Sequence, residues 1–350
     1  MEVTRRDVIE LGVAVVLVGV AAVAHFADAT PVLTFALAAL AIAVLARVVG
    51  GATEQLGARV GVGAAGVVQS ALGNLPELFI ALFALREGLT GVVQSALVGS
   101  VIANSVLVLG LAFVAGGLRH GTQLFDSPRA RLIATLTMLA AAILSVPTLA
   151  NEFHTPASHH DRALSLICAG VLLALFVLTL PGFLRGAAEP EGAAASPRWS
   201  LALTVGLLGA AGTGAAFVSD WFVSALRPAT ESLGMSQAFA GLVVVAIAGN
   251  AVENVVGVQL AARNRPDFAI SVIVNSALQV ALLLTPVLVF ASLAFATTLT
   301  LVFPTLLAVV LLLAAGIGAL VVYDGESTWE EGAILIGFYV VVAASFWWGA

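Results

Sequence analysis

An all-α polytopic membrane protein is the fold class this sequence predicts, with about eleven transmembrane helices. They divide into one extra N-terminal helix plus two inverted five-helix repeats. Three observations carry the expectation. Of 350 residues, 61% are hydrophobic and only 10% charged, with a mean hydropathy of +1.10, whereas a soluble domain carries about 25% charged residues to wet its surface. Apolar stretches of about 20 residues, the length that crosses the hydrocarbon core, recur from end to end. Finally, a polar pattern inside one stretch returns 176 positions later. The apolar runs are continuous rather than alternating, which excludes a transmembrane β-barrel.

The spans read as 8–26, 31–49, 60–85, 91–116, 130–149, 163–184, 200–222, 236–262, 268–294, 296–321 and 331–349. The first follows Arg5-Arg6 and closes on Ala27-Asp28-Ala29, which imitates a cleavable signal peptide. Its length, and the spans that follow at once, favour a retained helix. The sixth holds Cys168, the only cysteine, so a disulfide framework and a cysteine-built zinc site are both excluded. Ser327-Thr328-Trp329-Glu330 reads as a capping box that starts the last helix, and Trp347-Trp348 fits an interfacial aromatic belt.

Orientation follows from the arginines, since the chain has no lysine. Arg5, Arg6, Arg47, Arg59, Arg119, Arg129, Arg131, Arg185, Arg198, Arg263 and Arg265 gather on one side, against Arg86, Arg162 and Arg227 on the other. The positive-inside rule then makes the protein multi-pass with a cytoplasmic N-terminus and an external C-terminus. A net charge of −6 gives no nucleic-acid footprint, so the lipid bilayer is the expected partner.

Gly73-Asn74 with Glu77 matches Gly249-Asn250 with Glu253, and Ser100 matches Ser276 at the same offset. Upstream, Thr53-Glu54-Gln55-Leu56-Gly57 echoes Thr230-Glu231-Ser232-Leu233-Gly234. The expected organisation is therefore an extra helix in 1–30, a first repeat over 31–184, a cytoplasmic linker over 185–199 and a second repeat over 200–350. Five spans per unit is odd, so the second copy is inverted, an architecture of many secondary transporters.

Glu77 and Glu253 are the acidic residues placed deep within spans. An ionised carboxylate there costs several kcal/mol or more unless it faces a partner, a cavity or an ion. Asn74 and Glu77, like Asn250 and Glu253, share a helix face at i, i+3. Gly73, Pro76 and Gly249 loosen the helices and free backbone carbonyls, which are hard oxygen ligands. Ser100, Asn104, Ser276 and Gln279 add neutral oxygens, or else merely bond neighbouring helices. Two carboxylates with amide and carbonyl oxygens, and no His or Cys nearby, suit a hard divalent cation. Glu54 and Glu231 sit at the mouths of the motif helices, each after a threonine N-cap candidate, as entry residues. The His159-His160-Asp161 group reads as a solvated external loop.

With these residues the sequence resembles the calcium/cation antiporter superfamily, and within it the cation/proton exchangers. Their hallmark is Gly-Asn-x-x-Glu in each of two inverted repeats, here Gly73-Asn74-Leu75-Pro76-Glu77 and Gly249-Asn250-Ala251-Val252-Glu253. Val92-Val93-Gln94-Ser95, Gly99-Ser100 and Asn275-Ser276-Ala277-Leu278-Gln279 fit as well. The resemblance implies that Glu77 and Glu253 bind Ca²⁺ or H⁺ in turn, exchanging one for the other by alternating access. It implies no cofactor and no enzyme. Sodium/calcium exchangers of the superfamily carry a further acidic residue four positions after the matching serine, where this chain has Val280. A sodium-coupled exchanger and a passive cation channel are the rival readings.

Overall fold

The computed structural model describes residues 4–60, 72–125, 128–185 and 197–349, and these are almost wholly helical. In chain order the helices are α1 (Arg5–Phe26), α2 (Pro31–Val60), α3 (Leu75–Arg86), α4 (Thr90–His120), α5 (Pro128–Glu152), α6 (Asp161–Arg185) and α7 (Leu201–Leu233). There follow α8 (Gln237–Gly249), α9 (Ala251–Ala262), α10 (Pro266–Ala294), α11 (Thr305–Tyr323) and α12 (Trp329–Trp347). Among the described residues nine helices are long and apolar enough to cross a membrane, and the pair α8–α9, bent by 65°, makes a tenth candidate. The span expected over 60–85 lies partly outside the described residues, with α3 as its described end. Most of the expected linker 185–199 lies outside them as well.

Helix ends depart from the sequence reading where polar side chains override hydropathy. Helix α2 runs past residue 49 to Val60, because Gln55 and Arg59 find backbone partners: Gln55 Oε1 accepts from Arg198 N at 2.8 Å, and Arg59 donates to the Trp199 carbonyl. Thr53 is therefore a buried helix-interior residue rather than an N-cap. Thr230 is likewise interior to α7, its hydroxyl donating to the Arg227 carbonyl three residues back. Helix α11 begins at Thr305 instead of 296. The apolar segment before it is non-helical and held in place by side chains: Gln94 donates to the Thr300 and Val302 carbonyls, Thr148 donates to the Leu301 carbonyl, and Ser165 accepts from Leu301 N. Non-helical backbone inside a membrane protein needs such internal partners. The capping box sits one residue later than expected, with Thr328 Oγ1 accepting from Glu331 N while Glu331 accepts from Thr328 N. Ser327 is used elsewhere, in a two-residue antiparallel ribbon of β1 (Gln123–Leu124) with β2 (Glu326–Ser327).

The chain forms two compact units, and each draws on both halves of the sequence. In the first (Met1–Phe83, Phe176–Leu233 and Ala248–Val252), α2 and α7 make the main packing surface, with Phe35 stacked on Phe222 at 4.7 Å. At one end Asp7 accepts from Trp199 Nε1 and lies 3.9 Å from Arg198; at the other His25 stacks on Trp221.

In the second unit (Ala84–Leu175, Gly234–Ile247 and Glu253–Ala350), α11 packs on α5, and α12 on the latter half of α4. Gly110 and Gly332 bring α4 and α12 backbone to backbone, the small-residue packing that membrane helices use. A Cβ on Gly332 would lie 2.5 Å from the Gly110 carbonyl oxygen, which cannot retreat. Gly332→Ala is therefore expected to cost about 1–3 kcal/mol, read as a lower melting temperature in detergent. Gly337→Ala, whose Cβ would meet nothing within 4 Å, should leave it unchanged.

The polar contacts between connections follow one rule. Gln123 bonds Ala261 and Asn264, and β1 pairs with β2, all at connections expected to be cytoplasmic. The Gln94, Thr148 and Ser165 bonds, Thr305 to Glu152, and Ser236 to Phe346 join connections expected to be external. None of these bonds joins ends that the arginine reading puts on opposite faces.

Candidate functional site

Both glutamate motifs sit at helix breaks. Leu72 and Gly73 are helical, Asn74 is a turn, and α3 restarts at Leu75. In the second motif α8 ends at Gly249, Asn250 is a turn, and α9 starts at Ala251. Glycine and asparagine are weak helix formers, and a break at such residues frees the carbonyls of the preceding half-helix. Those carbonyls form the negative end of one helix, while the next begins with its positive end, a pairing that discontinuous transporter helices use to hold ions. Each motif glutamate stands in the first turn of the restarted helix.

In the first unit the two motifs meet. Glu77 is 1% exposed, and Asn250, also buried, donates from Nδ2 to Glu77 Oε2 at 3.5 Å. Gly249 lies flat against the same side chain, since a Cβ there would be 3.2 Å from the Glu77 Cβ. Asn74 is buried too, and its carbonyl accepts from Leu78 N. The Gly-Asn pair of one motif thus cradles the glutamate of the other, which the sequence reading did not foresee.

The second unit holds Glu253, Ser100, Asn104, Ser276 and Gln279. Glu253 and Gln279 are partly exposed, whereas Ser100, Asn104 and Ser276 are buried. Asn104 Nδ2 donates to Ser276 Oγ at 3.1 Å, so α4 and α10 are tied by two of the expected ligands. Asn104 lies within a wide π-helical turn, Ala103–Val108 in α4, and Ser276 lies four residues before another, Val280–Leu284 in α10. Such turns are frequent at functional sites. Asn254 escaped the sequence reading: its Oδ1 is buried without a hydrogen-bond partner among the described residues. Its signal is the i, i+4 spacing from Asn250, which puts it on the face of the motif helix.

Other expected residues stay apart. Glu54 and Glu231 are exposed, and Glu231 pairs with Arg227 at 3.2 Å. His159 and His160 are exposed, and Asp161 accepts from Asn151. No cluster of three or more His, Cys, Asp or Glu occurs among the described residues. A hard cation at the motifs would draw its remaining ligands from amides, hydroxyls and carbonyls.

The sequence profile of the sodium/calcium exchanger protein family matches residues 30–184 and 203–348. This chain belongs to that family. Among its relatives, the Ca²⁺/H⁺ antiporter ChaA of Bacillus subtilis is 35% identical over 321 residues, covering 89% of this chain and 91% of the relative. The Ca²⁺/H⁺ antiporter of Synechocystis is 34% identical over 345 residues, covering 92% and 93%. The solved structure of native YfkE superposes with a TM-score of 0.83 at 31% identity, covering 97% of this chain and 99% of that one. The relatives of this exchanger-family protein are membrane transporters by name, not enzymes.

Proposed function

We propose that this protein is a secondary active transporter that exchanges Ca²⁺ for H⁺ across a membrane. The observation that carries the reading is the pair of glutamates at matched helix breaks, in a chain 35% identical to a Ca²⁺/H⁺ antiporter. Glu77 and Glu253 bind the transported cation or protons. Asn74, Asn250, Gly73, Gly249, Ser100, Asn104, Ser276 and Gln279 contribute oxygens or shape the breaks, while Glu54 and Glu231 offer entry points. The cation is cargo, and no resident cofactor is invoked.

Two carboxylates supply a charge of −2, which one divalent cation or two protons neutralise. A site standing empty and charged in a low dielectric is costly, so only loaded forms cross between inward- and outward-open states. That restriction makes the exchange obligatory. Sodium coupling lacks its extra acidic ligand, since Val280 is apolar and fully buried at the head of the α10 π-turn.

The eleven-span reading, with an extra first helix and inverted repeats over 31–184 and 200–350, has three supports. The family match falls into two stretches of about that extent. The π-turns of α4 and α10 recur at nearly the motif spacing. The bonds between connections respect the expected faces. We place the N-terminus in the cytoplasm and the C-terminus outside on the arginine count.

Competition gives the test. Protons and Ca²⁺ share the two carboxylates, so the Ca²⁺ half-saturation concentration should rise as pH falls on the Ca²⁺-loading side, with the maximal rate approached again at high Ca²⁺. A half-saturation that stays constant from pH 8 to pH 6 contradicts a shared site.

A further inference from the structure

Helix α10 leaves regular geometry at its π-turn, Val280–Leu284, where Thr285 N donates to the Val280 carbonyl five residues back instead of four. Pro286 comes next. A proline has no N–H for the carbonyl four residues before it, and its ring crowds that carbonyl, so a regular turn is disfavoured there. The Thr285 hydroxyl then adds a second donor to the same acceptor. Thr285 is 1% exposed, and its Oγ1 donates to the Val280 carbonyl at 2.8 Å. In a regular helix a threonine hydroxyl reaches the carbonyl three or four residues back. Thr135, Thr137 and Ser145 in α5 do so, bonding Arg131, Ile133 and Ala141. A bond five residues back belongs to the wide turn. The matching turn of α4 has neither residue, with Leu109 and Gly110 in those places. The Thr-Pro pair is thus a local clamp on the α10 turn.

What the turn decides is register. A π-turn takes in one residue more than a regular turn, which rotates the helix before it by about 100° relative to the helix after it. Both sides are fastened. After the turn, the Ser292 hydroxyl donates to the Val289 carbonyl and accepts from Leu299 N, in the segment that Gln94, Thr148 and Ser165 hold. Before it, Ser276 accepts from Asn104 of α4 at 3.1 Å. If the turn closed into regular helix with its far side fixed, the stretch carrying Ser276 and Gln279 would swing by that step. Ser276 would leave the face that meets Asn104.

We propose that Thr285 is a positioning residue for the ion site, whose hydroxyl holds the α10 π-turn open and so keeps Ser276 and Gln279 turned toward the cation. The inference rests on reading those two as ion-site residues. Thr285 stands nine residues beyond Ser276, about 13 Å along the helix, and acts through the turn. A protein with the turn closed binds poorly, so the apparent dissociation constant is the intrinsic one divided by the fraction with the turn open. The effect falls on affinity, and the loaded carrier turns over as before.

Ca²⁺ transport in proteoliposomes, with melting temperatures measured alongside, gives the test. Thr285→Val keeps the shape and removes the hydroxyl. The backbone N–H at this position still serves the Val280 carbonyl, so nothing buried is left unpaired and the melting temperature should barely move. The Ca²⁺ half-saturation concentration should rise about three- to tenfold, the scale of one interior hydrogen bond, with the maximal rate within about twofold. Thr285→Ser, which keeps the hydroxyl, should stay near the native value. Combined with Ser276→Ala, Thr285→Val should raise half-saturation by clearly less than the product of the two separate effects, because both act on one ligand. Unaltered half-saturation in Thr285→Val, including the case where only the melting temperature falls, overturns the proposal. A weakened Thr285→Ser, or a full product in the double variant, does the same. A null Thr285→Val beside an inactive Glu77→Gln removes the positioning role alone, whereas an active Glu77→Gln removes the ion site itself.

Discussion

Glu77→Gln and Glu253→Gln are each expected to lower Ca²⁺ transport by at least about 100-fold while the protein still folds and extracts normally. Glutamine keeps the size and one oxygen of glutamate but cannot ionise or hold an exchangeable proton. Removing one partner from a buried charge pair costs about 3–5 kcal/mol, and each 1.4 kcal/mol is tenfold. Glu77 is the more enclosed of the two and has Asn250 against it, so its glutamine amide is readily accommodated and stability should hold. Flux of ⁴⁵Ca²⁺ into vesicles, with melting temperature as the control, reads the result. Native rates in both variants would show that the glutamates are structural.

The second large effect is expected at Gly249. A Cβ there would lie 3.2 Å from the Glu77 Cβ and 3.4 Å from its Cγ, tighter than ordinary contact. Alanine can be absorbed by a small displacement of the flexible glutamate side chain. Valine cannot, because its branched methyl groups occupy the space of the carboxyl stem. Gly249→Val should therefore cut transport at limiting Ca²⁺ about tenfold or more, with Gly249→Ala in between. Gly212→Ala on α7, where a Cβ meets nothing within 4 Å, should behave as wild type. If Gly249→Val transports normally, the packing of Gly249 on Glu77 has no bearing on function.

Much of this was legible in the sequence, because the bilayer restricts backbone to helices and lets hydropathy locate them. The motif glutamates stood out as charges amid apolar residues, and the break at Asn250 was implied by Gly249-Asn250. What stayed hidden depends on partners distant in sequence. Residues 296–304 are apolar enough to pass for a helix, yet Gln94, Thr148 and Ser165 hold part of them in a non-helical path. Thr53 resembled an N-cap, but Gln55 and Arg59 beyond it fasten to residues 198 and 199 and keep α2 helical. The cradle of Gly249 and Asn250 around Glu77 joins positions more than 170 apart, and no local periodicity reports that. The π-turns are equally silent, since their composition is that of any buried helix.

The most direct measurement follows Ca²⁺ and H⁺ together in proteoliposomes containing no Na⁺, with a pH dye inside and Ca²⁺ added outside. Exchange predicts that Ca²⁺ enters as protons leave, that an inside-acid gradient accelerates entry, and that both movements cease in Glu77→Gln. Ca²⁺ entry without proton exit, or entry that begins only when an outward Na⁺ gradient is supplied and ignores pH, would contradict it.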